Sequence, residues 1–267
     1  MDISIETIDT GAFTMRFLRF GKGERTMVIL PGLSVQSVMC AAEAVAEAYA
    51  ALTEDFTIYL FDRRSELPAV YAVPEMAEDT ARALQALGLR QVYLFGASQG
   101  GMIALSMAIE HPDLVRKLIL GSTAGRVQEE RYRTITEWVR LAEEKDRVGL
   151  YLSFGEKIYP PTVFQQYREA LIAAGETVTD GELARFVTLA QGMRGFDVLP
   201  ELRRLQCPVL VLGAEDDGVL GASAAMEIVE QLKDRPDFAY HIYSGYGHAA
   251  FDTAPDYKER ISRFFLG

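Results

Sequence analysis

Ser98 stands in Gly96-Ala97-Ser98-Gln99-Gly100, between the apolar, β-prone run 92–95 and the helical pattern that begins at Gln99. A serine at the tip of a strand-to-helix turn takes strained backbone geometry and brings the residues two before and two after it close together. Glycine at 96 and 100 meets that steric demand. The N-terminus of the following helix presents backbone N–H groups and a positive dipole end to any negative charge that develops on a bound substrate. A serine hydroxyl becomes a nucleophile only when a base takes its proton, and the base needs a carboxylate to orient its ring.

Three histidines are available. His111 lies at a helix end and His241 within the strand pattern AYHIY, where structural roles suffice. His248 sits in the glycine-flanked stretch SGYGHAAFD, after a strand and before the last helix, and is the expected base. In VLVLGAEDDGVL, Glu215, Asp216 and Asp217 follow directly on a strand, and one of them is expected to orient it. The order nucleophile, acid, histidine is the order that a strand-to-helix turn of this kind requires.

Behind these residues runs a regular alternation. Strands are expected at ISIETI and FTMRFLRF, then at TMVILPG, TIYLFD, QVYLFGA and KLILGST, with helices over about 36 to 52, 75 to 87 and 99 to 110. Apolar strands separated by helices imply a parallel sheet covered on both faces. Residues of about 125 to 204 carry only helical patterns. The alternation resumes at CPVLVLGAEDD and continues with a helix over about 222 to 233, a strand FAYHIYSG and a final helix over about 255 to 265. The expected fold is therefore α/β, a mostly parallel, doubly wound sheet with antiparallel N-terminal strands. Its core is residues 1–124 and 205–267, with a helical cap or lid inserted over 125–204.

Composition narrows the partners. The chain has 267 residues, 49% of them hydrophobic, enough for a full core, and 27 basic against 38 acidic residues give a net charge of -11. That charge opposes binding to nucleic acid and anionic membrane surfaces. The N-terminus lacks the basic and apolar regions of a signal peptide, so a soluble, cytoplasmic protein is expected. Cys40 and Cys207 are far apart in apolar surroundings and read as buried free thiols.

LPGLS after the third strand, FDRRS after the next, GASQGG, GAEDD and GYGHAAFDTAPDY fall in an order that resembles the α/β-hydrolase fold superfamily, in its serine-nucleophile branch. The resemblance implies that Gly213-x-x-Asp216 supplies the acid. It also implies an oxyanion hole made by the backbone N–H groups of Leu33 and Gln99. Three departures stand out: Pro31-Gly32 replaces a frequent His-Gly pair whose histidine braces the loop, two glycines are missing after Asp62, and Thr253 replaces a common glutamate.

The expected chemistry is acyl transfer from a small carboxylic ester or a related acyl compound such as a thioester or lactone, by Ser98, His248 and Asp216, with neither metal nor organic cofactor, as in carboxylesterases. A C–C hydrolase, a lyase and a non-catalytic small-molecule receptor are the alternatives on the same fold. Met102 and Phe251 are expected at the substrate because their backbones are anchored near the serine and the base. Phe154, Tyr159, Phe164, Tyr167, Trp138 and Met193 are further candidates. Arg63 and Arg64 either hold a substrate carboxylate or brace their own loop against Asp62.

Overall fold

The structure, a computed structural model, describes residues 2–267. Strands β1 (Ile3–Asp9) and β2 (Thr14–Phe20) form an antiparallel hairpin that β2 joins to β4 (Phe56–Arg64). From β3 (Arg25–Leu30) and β4 onward every pairing is parallel, through β5 (Val92–Ala97), β6 (Val115–Gly121), β7 (Val209–Ala214) and β8 (Phe238–Tyr243). The eight strands run in the order β1-β2-β4-β3-β5-β6-β7-β8. The sequence-based expectation of a mostly parallel sheet with an antiparallel entry is met.

Helix α1 (Ala42–Ala48) falls in the segment expected to be one helix over about 36 to 52. The chain instead makes a short 3-10 turn at Val38–Ala41 and another at Ala50–Leu52. The Ser37 hydroxyl accepts the Met39 N–H at the first, and burial of Tyr49 and Leu52 turns the chain back toward β4. Helix α2 (Val73–Ala86) and α3 (Gln99–Glu110) then pack together on the opposite face.

Four helices lie between β6 and β7: α4 (Glu129–Glu143), α5 (Arg147–Ile158), α6 (Pro161–Thr177) and α7 (Asp180–Gln191). In α4 the buried residues Tyr132, Ile135, Trp138 and Leu141 recur every third position, so one stripe faces inward. Helix α6 buries only Gly175 and packs on α5 as an outer layer. Helices α8 (Ser223–Leu232), α9 (Ala250–Thr253) and α10 (Tyr257–Leu266) complete the chain. Every residue of β5 and of β7 is buried, as strands covered on both faces must be.

Among the described residues no helix is long and apolar enough to cross a membrane. Cys207 is buried and its thiol is pushed up to about 11, chiefly by that burial. Cys40 is exposed, contrary to expectation, because the 3-10 turn that carries it buries Met39 and leaves the next side chain outside.

Candidate active site

The turn from β5 into α3 is as tight as its glycines imply. Ser98 has φ 52° and ψ -121°, a left-handed backbone that a non-glycine residue adopts only under strain. The surroundings hold it there: the Ser98 N–H donates to the Gly121 carbonyl at 2.8 Å, and the Thr123 hydroxyl donates to the Ser98 carbonyl at 2.6 Å. A Cβ at Gly100 would lie 2.0 Å from the Leu30 carbonyl oxygen, and one at Gly96 would lie 2.4 Å from the Gly100 carbonyl oxygen. Both positions exclude any side chain.

His248 follows β8, in a loop that packs on the end of α5. A Cβ at Gly247, where φ is +65°, would sit 2.9 Å from the Ile158 carbonyl oxygen. That same oxygen accepts the Ala249 N–H at 2.9 Å. His248 is 3% exposed, and its Nδ1 lies 2.8 Å from Oδ2 of Asp217.

The carboxylate beside the imidazole is thus Asp217, and the expectation of Asp216 is corrected. The reason lies in the turn after β7. Oδ1 of Asp217 accepts the N–H groups of Val219 and Leu220 at 2.8 and 2.9 Å, which folds its side chain inward with Oδ2 aimed at the ring. Asp216 points to the neighbouring backbone, where it accepts the Gly247 N–H at 3.0 Å. One acid therefore orients the ring and the next holds the loop that carries it. Glu215 is exposed and pairs with the Ser244 hydroxyl. Burial pushes the Asp217 carboxyl up, but His248 and the two backbone donors outweigh it and hold the group below its ordinary value.

Ser98 and His248 line one cavity of about 50 Å³. Gly32, Leu33, Val219 and Phe251 complete its wall on the sheet side. The inserted helices supply Ile135 and Trp138 from α4, Phe154 and Ile158 from α5, and Met193 from just beyond α7. The Trp138 and Phe154 rings pack with centroids 4.3 Å apart and planes tilted by 31°, and the indole N–H donates to the Ser153 hydroxyl at 3.2 Å. Except for Ser98 and His248 the lining is apolar or glycine.

Phe251, Trp138, Phe154 and Met193 of the expected candidates reach this cavity, whereas Tyr159, Phe164 and Tyr167 do not line it. Met102 does not line it either. Four residues past the serine, α3 has risen about 6 Å, and Met102 is enclosed in the core with no exposed surface. Ile135, Ile158 and Val219 were missed by sequence reasoning. Aliphatic residues at helical spacing carry no signal that separates a cavity wall from a core.

Leu33 lies directly behind Gly32, whose Cβ position is 3.2 Å from the Ser98 Cβ. Gln99 is the first residue of α3, where a backbone N–H has no acceptor within the helix. Neither N–H takes part in a hydrogen bond among the described residues. Arg63 and Arg64 both stay out of the cavity. Arg64 donates to the Glu66 carbonyl at 2.8 Å and pairs with Asp79, while Arg63 turns inward beneath the loop of Pro31. No group of three or more potential metal ligands occurs among the described residues.

The other histidines have structural surroundings. His111 ends α3 and its Nε2 meets Glu78 at 2.8 Å, and His241 packs edge-on against Tyr243.

Comparison with known proteins gives the same fold. The candidate carbamate hydrolase RutD of Caulobacter segnis is 25% identical over 226 residues, covering 81% of this chain and 84% of its own. A serine hydrolase from the polyaromatic-hydrocarbon-degrading bacterium Cycloclasticus zankles superposes with a TM-score of 0.85 at 17% identity, over 100% of this chain and 99% of its own. The 2-hydroxy-6-oxo-6-phenylhexa-2,4-dienoate hydrolase of Rhodococcus sp. strain RHA1 gives a TM-score of 0.81 at 18% identity, over 100% and 99%. The model of the alpha/beta hydrolase fold matches residues 25–255, most of the sheet with the inserted helices, and the chain belongs to that family.

Proposed function

We propose that the protein is a serine hydrolase that cleaves small, uncharged carboxylic esters through an acyl-enzyme. The observation that carries this reading is that His248, whose Nδ1 lies 2.8 Å from Asp217, lines the same apolar cavity as a strained Ser98. With Nδ1 engaged, Nε2 is left to take the serine proton. Oγ of Ser98 bonds to the ester carbonyl carbon as its proton passes to His248. The carbonyl oxygen becomes an anion held by the N–H groups of Leu33 and Gln99. The C–O bond to the leaving group then breaks, and the alkoxide takes the proton back from His248. Water repeats the sequence on the acyl-serine, releases the acid and restores the enzyme.

The inserted helices act as a cap whose residues close the acyl end of the cavity. Its lining has no arginine or lysine, so nothing there offsets the desolvation of a substrate carboxylate. A dienoate, as named for the Rhodococcus hydrolase, is such an anion. The name of the Caulobacter relative raises carbamates as a second substrate class.

Intact mass after incubation with a fluorophosphonate tests the reading. One adduct per chain is expected, absent in Ser98→Ala and strongly reduced in His248→Ala. A folded native protein that takes no adduct would overturn it. Hydrolysis of p-nitrophenyl acetate, an aryl carbamate and a p-nitrophenyl hemisuccinate then ranks the substrate classes, with the acetate expected first and the anionic ester last.

A further inference from the structure

Arg63, at the end of β4, is 5% exposed, yet its side chain makes no ion pair among the described residues. The adjacent Asp62 is committed elsewhere. Its Oδ1 accepts the backbone N–H of Arg63 at 2.7 Å and a guanidinium N–H of Arg185 at 3.0 Å, and its Oδ2 accepts the Ser37 hydroxyl at 2.5 Å. The Arg63 guanidinium is spent on two neutral acceptors instead. One of its terminal nitrogens donates to the Pro31 carbonyl at 2.7 Å and to Oε1 of Gln99 at 3.1 Å, while Nε is buried without a partner. Burial pushes the guanidinium down to about 10, against the pull of Asp62 and Tyr71 and with help from Arg185.

A buried cation held only by neutral groups is costly to keep, and an apolar side chain of similar size would commonly be no less stable. Its two acceptors explain where that cost is spent. Pro31 opens the loop whose next residues, Gly32 and Leu33, face Ser98, and Gln99 follows the serine. The same nitrogen therefore ties together the loop that leads to Leu33 and the residue that follows the serine, the two segments that carry the expected oxyanion donors. Gln99 is clamped from the other side as well, because its Nε2 donates to the Leu189 carbonyl of α7 at 2.7 Å. In this chain Pro31 stands where a bracing histidine is frequent, and the brace comes from β4 instead.

We infer that Arg63 is a positioning residue that sets the spacing between the Leu33 and Gln99 N–H groups, and so the fit of the site to an oxyanion. The inference rests on the serine-hydrolase reading above. A charged donor on the Pro31 carbonyl also polarises the peptide that carries the Gly32 N–H, which adds positive potential beside the serine. Because oxyanion donors act on the transition state and not on the ground state, loss of the brace should lower kcat and leave KM nearly unchanged.

The test compares native protein, Arg63→Met, Arg63→Lys and Gln99→Met. Each is assayed with p-nitrophenyl acetate and with a trifluoromethyl ketone, which forms a tetrahedral adduct with an active serine. Folding is checked by thermal unfolding. Arg63→Met is expected to lose about 10- to 100-fold in kcat with KM within about threefold, a loss of the size seen when an oxyanion donor is weakened. Ketone affinity should fall by a similar factor. Arg63→Lys should recover part of the loss, since a lysine carries the charge but not the planar geometry. Gln99→Met, which keeps the backbone N–H and removes one acceptor, should lose less than Arg63→Met.

Native kcat and native ketone affinity in a folded Arg63→Met would overturn the inference, as would a loss confined to KM. If Arg63→Met does not fold, Arg63→Lys and Gln99→Met decide, and native values in both would overturn it. A native protein that forms no serine adduct would overturn the serine-hydrolase reading and this inference together. An active native enzyme with unaffected variants would overturn this inference alone.

Discussion

Two neighbouring aspartates after β7 show how much one residue's geometry decides. Asp216 and Asp217 have the same chemistry and adjacent positions, but only Asp217 reaches the ring of His248. Asn at either position keeps an oxygen acceptor for the backbone donors and removes the charge. Asp217→Asn is expected to lower kcat by a factor on the order of 10³ to 10⁴, the scale seen when a histidine loses the carboxylate that sets its tautomer. Asp216→Asn should stay within about fivefold of native, because its contact is to a backbone N–H and not to the reacting groups. Steady-state rates on one ester, with the two variants side by side, check both outcomes. Equal losses would mean that the loop, and not the ring, is what the acids secure.

At the scale of elements, strand ends of the sheet carry Ser98 and His248, and the inserted helices supply most of the apolar lining of the cavity beside them. Strand ends are stiff, since β5 and β7 are buried throughout and hydrogen-bonded on both sides. That lining is a packing of side chains from α4 and α5 with Met193, in which the Trp138 and Phe154 rings lie in contact with their planes tilted by 31°. Phe154→Ala removes one ring of that pair and is expected to enlarge the cavity. The variant is expected to favour longer acyl chains, and each added methylene that finds apolar cover is worth about 0.8 kcal/mol, so about 15-fold in kcat/KM over two. A series of p-nitrophenyl esters from acetate to octanoate reads the shift. An unchanged optimum would place the acyl chain elsewhere than against α5.

For the whole molecule, the buried acid couples the site to stability. The Asp217 carboxyl is held below its ordinary value in the folded chain, by contacts with His248 and two backbone N–H groups that outweigh its burial. Such a group adds stability above the unfolded-state value, about 4 for an aspartate, and the contribution fades as pH falls through the lower folded-state value. Native protein should therefore exceed Asp217→Asn in urea midpoint near pH 7, and the difference should shrink progressively below about pH 4. Urea unfolding of both proteins at pH 7, 5, 4 and 3 checks this. A gap that widens on acidification would show the pair to be destabilising.

The alternation of apolar runs and helical patterns was enough for the parallel sheet, because strands covered on both faces must be apolar throughout and the period of the helices is unmistakable. The G-x-S-x-G turn was equally legible, since only glycine fits where a Cβ would meet a carbonyl oxygen at 2.0 or 2.4 Å. What the sequence left open was a matter of direction. Side chains one residue apart, such as Asp216 and Asp217, diverge according to the turn they sit in, and the local hydrogen bonds to Val219 and Leu220 made the choice. Met102 against Phe251, and Ile135 among many buried aliphatics, were decided by where separate helices met. So was Arg63, whose acceptors at Pro31 and Gln99 lie 32 and 36 residues away in the chain. Periodicity and glycine sterics are local and can be read along the chain, whereas the lining of a cavity and the partners of a buried charge exist only once distant segments have packed.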